Sequence, residues 1–375
     1  MGVKSFLKSL FTTNSSQKKQ TIRTVADDQF QSLQMDFITK KNTHHPYSFL
    51  SEKDKKLVQS IHCKTKIHNV NNIKRTKAYL DYYLENKEVH WSFLAHMVSR
   101  NGGWNMTDLK GSLLKELLPE DKLQSFFEFL EMANHSIFQD AYPQLLLYEH
   151  SKKTGRNLFF LLPYFSVSSF MEPIWNYFIN TRNSPLLTVA LIINEQQLLQ
   201  STILHSSKYK EDVLDSIIFK TQEYLGFTDV LFPYQKKNKI ELAGVTVYGF
   251  EHAINRINVG KTLYGILFHK IYNGALKFAK TTPHTGSRAD FWPNVFTKTS
   301  PSPNQHSTLI YSPALSDSWP DYTHSISNVN DWFTSVDLIH PLTTFYIPAT
   351  YRISSSYKND LEKLSSIKDI KALFP

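Results

Sequence analysis

The stretch EVHWSFLAHMVSRNGGWNMTDLKG, residues 88–111, decides how the chain is read. It carries His90, His96, Arg100, Asn101, Asn105, Thr107 and Asp108 in a run that otherwise has the pattern of a buried helix. At about 100° per residue, Val89, Phe93, His96 and Arg100 share one stripe, while Trp91, Leu94, Ala95 and Val98 lie opposite. Both faces are apolar, so the spacing predicts a central helix over 88–100. Asn101-Gly102-Gly103 reads as its left-handed C-terminal stop, and Thr107 as the cap of a new helix over 108–118. His96 and Arg100, one turn apart, then point into the interior together.

A buried arginine needs a carboxylate or a bound anion. Glu195 is the sharpest candidate, because on a helix over 187–205 it shares a stripe with Leu191, Ile192, Leu198 and Leu199. Asp140 and Glu131 are the other two. An internal salt bridge from Arg100 to Glu195 or Asp140 would set helix register, and Asp140 would otherwise cap a helix restarting after a kink at Pro143. The functional alternative is an anion site in which His96 or Glu195 serves as acid or base. A second constellation, PHTGSRADFWP at 283–293, crowds His284, Thr285, Ser287, Arg288 and Asp290 around Gly286. Hydroxyls, a glycine N–H and a guanidinium suit an oxyanion. An ordered loop with Arg288 and Asp290 paired accounts equally well for the same residues.

Around these segments the chain reads as mainly α. The expected layout is a basic, amphipathic tail over 1–20, a multi-helix domain over 21–280, a loop-rich wrap over 281–350 and a C-terminal helix within 351–375. Helices are expected at 55–62, 72–86, 119–139, 168–182, 187–205, 210–225, 250–280 and 357–372. Residues 12–20 read as linker. IELAGVTVY at 240–248 is the best strand-like run, with no evident partner. Only 12 glycines in 375 residues disfavours a turn-rich β-sandwich or propeller. Phe291, Trp292, Trp319 and Trp332 are expected to anchor the wrap.

Residues 1–80 hold 15 Lys+Arg against 5 Asp+Glu, so the whole net charge of +9 resides there. Such a segment suits an anionic partner (nucleic acid, acidic protein or membrane surface) or simply a solvated face. Val3, Phe6, Leu7, Leu10 and Phe11 give the first residues an apolar side that would suit a membrane surface or the protein's own core. No transmembrane span is expected, because the apolar run 158–171 is short and contains Pro163 and three serines. The lone Cys63 excludes an internal disulfide and a cysteine-rich zinc site, and fits a cytoplasmic setting.

Several motifs fail. Gly260-Lys261-Thr262 lacks the first glycine of a phosphate-binding loop, which would be Asn255. There is no HExxH or GxSxG. His44, His45, His62, Cys63 and His68 have no carboxylate cluster beside them, so no metal site is expected. No cofactor is indicated.

HWSFLAHMVSRNGGWNMTDLKG (90–111), NHSIFQDAYPQLLLYEHSK (134–152), LTVALIINEQ (187–196), VGKTLYGILF (259–268) and PHTGSRADFWP (283–293) resemble the YppC-like proteins of Gram-positive bacteria, a family classed as a domain of unknown function. The resemblance implies a bacterial cytoplasmic protein and brings no activity or catalytic residues. The residues themselves lead to a small anionic ligand, lined by His96, Arg100, Asn101, Glu195, His284, Ser287 and Arg288, provided that 88–101 and 283–293 meet in space. The rival expectation is a non-enzymatic protein whose basic first 80 residues bind the anionic partner. Whether a reaction is catalysed, and the oligomeric state, are left open by the sequence.

Overall fold

A computed structural model describes residues 18–39, 46–112, 114, 119–204, 229–247, 252–300, 308–322, 324 and 330–362. In chain order these form β1 (Lys19–Arg23), α1 (Asp27–Thr39), α2 (Glu52–His68), α3 (Asn72–Glu85), α4 (His90–Asp108), α5 (Glu120–Thr154), α6 (Met171–Thr181), α7 (Ser184–Leu199), β2 (Asp229–Lys236) and β3 (Lys239–Thr246). They continue with α8 (Ala253–Ile266), α9 (Tyr272–Thr281), β4 (Phe296–Thr297), β5 (Ile310–Tyr311), the single turn α10 (Leu315–Ser318), β6 (Thr344–Pro348) and a helix over 354–362. The protein is mainly α-helical, with a C-terminal region of short strands and 3-10 turns. No helix among the described residues is long and apolar enough to cross a membrane. The expected segments 3–11 and 210–225, and the end of the C-terminal helix, lie outside the described residues.

α4 is the axis of the body. Fifteen of its nineteen residues are buried, because α3, α5, α7 and the β2–β3 hairpin surround it. Tyr79 of α3 meets Trp91 edge-on at 5.5 Å, and Tyr83 stacks on Phe93 at 4.9 Å. Asn71 and Asn183 accept from Lys74 and Leu186 N–H at 3.0 Å and so start α3 and α7 where the sequence turns apolar.

Contrary to the expected stop, α4 runs straight through Asn101-Gly102-Gly103. Tertiary contact overrides the cap signal: Asn101 Oδ1 accepts from Leu231 N–H at 3.0 Å, and each glycine faces a close neighbour. A Cβ on Gly103 would stand 2.4 Å from Asn72 Oδ1 and 2.5 Å from His284 Nε2. Thr107 therefore caps no new helix; its hydroxyl donates to Gly286 O at 2.6 Å. Likewise α5 is one helix of 35 residues with Pro143 inside it, and no restart follows Asp140. Its end is set by Gly155 at φ 67, which glycine adopts without a Cβ clash.

Two other expectations change. Lys19 and Gln20, read as linker, begin β1, which pairs antiparallel with β6 in the register Thr21↔Tyr346. The strand at 240–248 does have a partner: β2 joins it through the Lys237-Asn238 turn, in the register Lys236↔Lys239. Asp229–Lys236 includes Pro233, and this hid the strand from a sequence reading. The aromatic anchors of the wrap are in place. Trp319 stacks on Phe127 at 4.2 Å and donates to Met106 O at 2.8 Å, and Trp332 donates to Asn194 Oδ1 at 3.0 Å.

Gly102→Ala is expected to leave stability within about 1 kcal/mol of wild type, since only the amide end of Asn134 is near and alanine favours the helix. Gly103→Ala should cost about 2 kcal/mol by overpacking. Chemical denaturation of both variants checks this, and equal stability would refute the close-contact account of Gly103.

Candidate functional site: two polar chambers on one buried helix

The segments 88–108 and 282–293 meet along α4. Arg288 grips Asp108 with Nε at 2.9 and 3.0 Å and Nη2 at 2.6 Å, and reaches Asn105 Oδ1 at 3.2 Å. Burial opposes its charge, but Asp108 outweighs burial and holds the guanidinium above its ordinary pKa. Arg288 is thus paired with Asp108 and not with Asp290. Ser287 donates to Ser312 O at 2.5 Å and accepts from Ala289 N–H at 3.1 Å. Ser287 and the Nε and Nη2 of Arg288 are thus bonded within the protein, while Arg288 Nη1 is buried without a hydrogen-bond partner.

His96, Arg100 and His284 come together differently. His96 Nδ1 donates to Thr76 O at 2.8 Å, so its Nε2 carries the lone pair. Asn72 donates Nδ2 to Ser99 O at 2.9 Å, which orients the amide so that Oδ1 accepts from His284 Nε2 at 2.8 Å. The His284 lone pair is then on Nδ1. Arg100 Nη2 donates to Thr282 O, and the guanidinium lies 4.8 Å over the Phe278 ring. No carboxylate makes the salt bridge expected for Arg100. Asp290, whose charge partly supports it, is held by Thr285 N–H at 2.8 Å, Thr285 Oγ1 at 2.7 Å and Lys298 Nζ at 3.0 Å. Burial and the neighbouring Arg100 push His96 down to about 3 and His284 well below the usual imidazole range, while burial lowers Arg100 to about 10. Both imidazoles are neutral at physiological pH.

Glu195 belongs to neither group. It lines a cavity of about 170 Å³, together with Tyr79, Trp91, Ile137, Val230, Val259 and Leu263. Gly260 lets α8 close one wall, because a Cβ there would stand 2.7 Å from Ile192 Cγ2. Val98, 38% exposed, also lines the cavity. Trp91 Nε1 donates to Glu195 Oε2 at 3.2 Å and Gln196 Nε2 to Oε1 at 3.0 Å. Gln196 in turn accepts from Arg256 Nε at 2.8 Å. Burial outweighs these bonds and pushes the Glu195 carboxyl up to about 7. The Tyr79 hydroxyl is buried against this space without a hydrogen-bond partner.

The other two acids proposed for Arg100 also have their own partners. Glu131 pairs with Arg75 at 2.5 Å and with His324 at 3.4 Å. Asp140 Oδ2 accepts from Gln144 at 2.7 Å and Asn194 at 2.6 Å, and Trp175 Nε1 donates to Gln144 Oε1 at 2.8 Å. This chain of amides ties α5, α6 and α7 together. Sequence reasoning missed Arg75, Asn72 and Thr76. Their spacing with Tyr79, three and four residues on one side of α3, was the available signal. No group of three or more metal-ligating side chains gathers among the described residues. His62 lies against Phe165 and His68 against Tyr142, while His44 and His45 are outside the described residues.

Residues 67–351 match the profile of a family described as protein of unknown function (DUF2515). The chain belongs to this family. It is 41% identical over 281 residues to the uncharacterized protein YppC of Bacillus subtilis (strain 168), covering 74% of this chain and 84% of that protein. No solved structure matches. The DUF2515 region spans α3 to β6 and so contains both chambers, whereas most of α2 and everything before it lie outside.

Asp140 supplies a pH test. Burial raises its carboxyl from 3.8 to about 7, because desolvation outweighs the Asn194 and Gln144 bonds. The unfolded chain therefore loses this proton first, and the residue costs stability progressively from about pH 4 to pH 7. Asp140→Asn keeps an acceptor for both amides. It should match wild type near pH 4 and melt a few degrees higher at pH 8; parallel melting curves at both pH values would refute the assignment.

Proposed function

We propose that the protein binds a small organic molecule in the cavity between α4, α5, α7 and α8, with Glu195 meeting its polar head. The observation that carries this reading is a single carboxyl at the wall of a largely apolar cavity, beside an unpartnered tyrosine hydroxyl; Arg256, on the same wall, is held by Gln196 and Gln200. The volume is close to the roughly 150 Å³ of a cavity that takes benzene, so the ligand is about the size of one substituted ring. A cationic amine suits the site better than the anion expected from sequence. Glu195 repels an anion when ionised, and neither arginine counted on to hold one lines this cavity, Arg288 being paired with Asp108. The Trp91 and Tyr79 rings add apolar and cation–π contact.

Benzylamine, benzyl alcohol and benzoate, matched in size, separate the possibilities in a calorimetric titration. Benzylamine should bind more tightly at pH 8 than at pH 6, because its partner is the ionised carboxylate. Glu195→Gln should weaken it about 10- to 100-fold, as expected for loss of a charge-assisted hydrogen bond. Benzoate binding that survives Glu195→Gln, or no binding by any of the three, would overturn the reading.

The surface of α2 supports a second reading, docking of the basic N-terminal 80 residues on an anionic partner. Lys53, Lys56, Lys64 and Lys66 are exposed on it, and Phe49, just before it, is 78% exposed. Retention on vesicles rich in phosphatidylglycerol should then fall steeply between about 50 and 200 mM salt, as counter-ion release requires. Retention unaffected by salt, or absent, would count against it.

A further inference from the structure

Around Arg100, hydrogen-bonding capacity is left over on both sides of the donor–acceptor ledger. His96 Nε2, His284 Nδ1 and Arg100 Nε and Nη1 are all buried with no hydrogen-bond partner. His96 is 2% exposed, Arg100 1%, and the His284 side chain 5%. Three constraints bring them to one place. His96 and Arg100 are one helical turn apart on α4. His284 reaches the same helix at Gly103, where the lack of a Cβ admits its ring. The charge of Arg100 also lowers both imidazoles, and His96 lowers His284. Trp104 and Phe278 wall the space, the former 6.1 Å from His284 between ring centroids.

The tautomers decide what this space accepts. Thr76 O can only accept, so His96 Nδ1 bears the hydrogen; Asn72 Oδ1 can only accept, so His284 Nε2 does. The surplus is therefore two imidazole acceptors, the Nε and Nη1 donors of Arg100 and the Trp104 Nε1 donor, with the Asp290 carboxylate 3.8 Å from His284 Nδ1. A fully deprotonated anion cannot donate to the imidazoles, and would require protonating rings that burial keeps neutral. A metal cation would meet the guanidinium charge. A ligand that donates twice and accepts serves both imidazoles and Arg100 without changing any protonation state, and water has that inventory.

We propose that His96, Arg100 and His284 hold one buried water molecule, which donates to His96 Nε2 and His284 Nδ1 and accepts from Arg100. This water takes the place of the carboxylate partner that a buried arginine usually requires. It links α4 to the Thr282–Asp290 turn through hydrogen bonds. The site is separate from the Glu195 cavity, and neither assignment depends on the other.

The wild-type protein suffices for the test. A high-resolution crystal structure should show one water within about 3.2 Å of both imidazole nitrogens and the guanidinium. Nitrogen NMR of labelled histidine should report Nδ1–H for His96 and Nε2–H for His284, both untitrated down to about pH 4.5. Thermal melting should not distinguish chloride, acetate and phosphate at equal ionic strength. A doubly protonated imidazole at neutral pH, an anion resolved against Arg100, or specific stabilisation by one of these anions would overturn the proposal in favour of an anion site. Rings turned to contact each other directly, with no solvent between, would overturn it as well.

Discussion

Covering α4 on every side is the constraint on which the rest of the structure depends. A helix with two apolar faces cannot keep a solvent side, so each of its polar residues must find a partner within the protein. That demand explains the positions of distant parts of the chain. Asp108 draws in Arg288, Thr107 takes Gly286 O, Asn101 takes the Leu231 N–H of the β2–β3 hairpin, and Arg100 takes Thr282 O. The loop-rich region after α9 is ordered to a large extent because it supplies these partners.

The same arrangement separates two chemistries that a linear reading had merged. Glu195 lies on the α5–α7–α8 side of α4, among aromatic and aliphatic side chains and beside Gln196, which accepts from Arg256. His96, Arg100 and His284 lie on another side, held by the Thr76 and Thr282 carbonyls and the Asn72 amide, with Asp290 3.8 Å from His284 Nδ1. Burial is the leading influence in both places. It raises the acid and lowers the bases, so both imidazoles are neutral near pH 7 while Glu195 is close to its midpoint there. Elsewhere, close ion pairs support buried charge at Arg75–Glu131 and Arg288–Asp108.

Gly102 and Gly103 show how a local signal acquires a different meaning. Asn-Gly-Gly reads as a helix stop because glycine reaches left-handed conformations easily. Here both glycines stay helical, and the missing Cβ is used for space: Gly103 admits the Asn72–His284 hydrogen bond against the helix. Pro143 is similar. A proline should break α5, yet the helix continues, flanked by the Asp140–Gln144–Asn194 network.

Periodicity and composition by themselves determined the mainly α class, the centrality of the helix beginning near residue 90, the aromatic anchoring of the C-terminal wrap and the burial of His96 and Arg100. Those follow from local patterns, in which side-chain direction repeats every 3.6 residues. Only the tertiary structure decided which acid faces which base, that Arg100 makes no salt bridge, that β1 pairs with β6 far away in the chain, and that β2 pairs with β3. Pairing depends on contacts between residues remote in sequence, and a single chain read in order carries no distances between them. The partition of His96 and Arg100 from Glu195 is of that kind: all three lie on inward-facing stripes, and only the packing of α3, α5 and α7 around α4 shows that they point into different spaces.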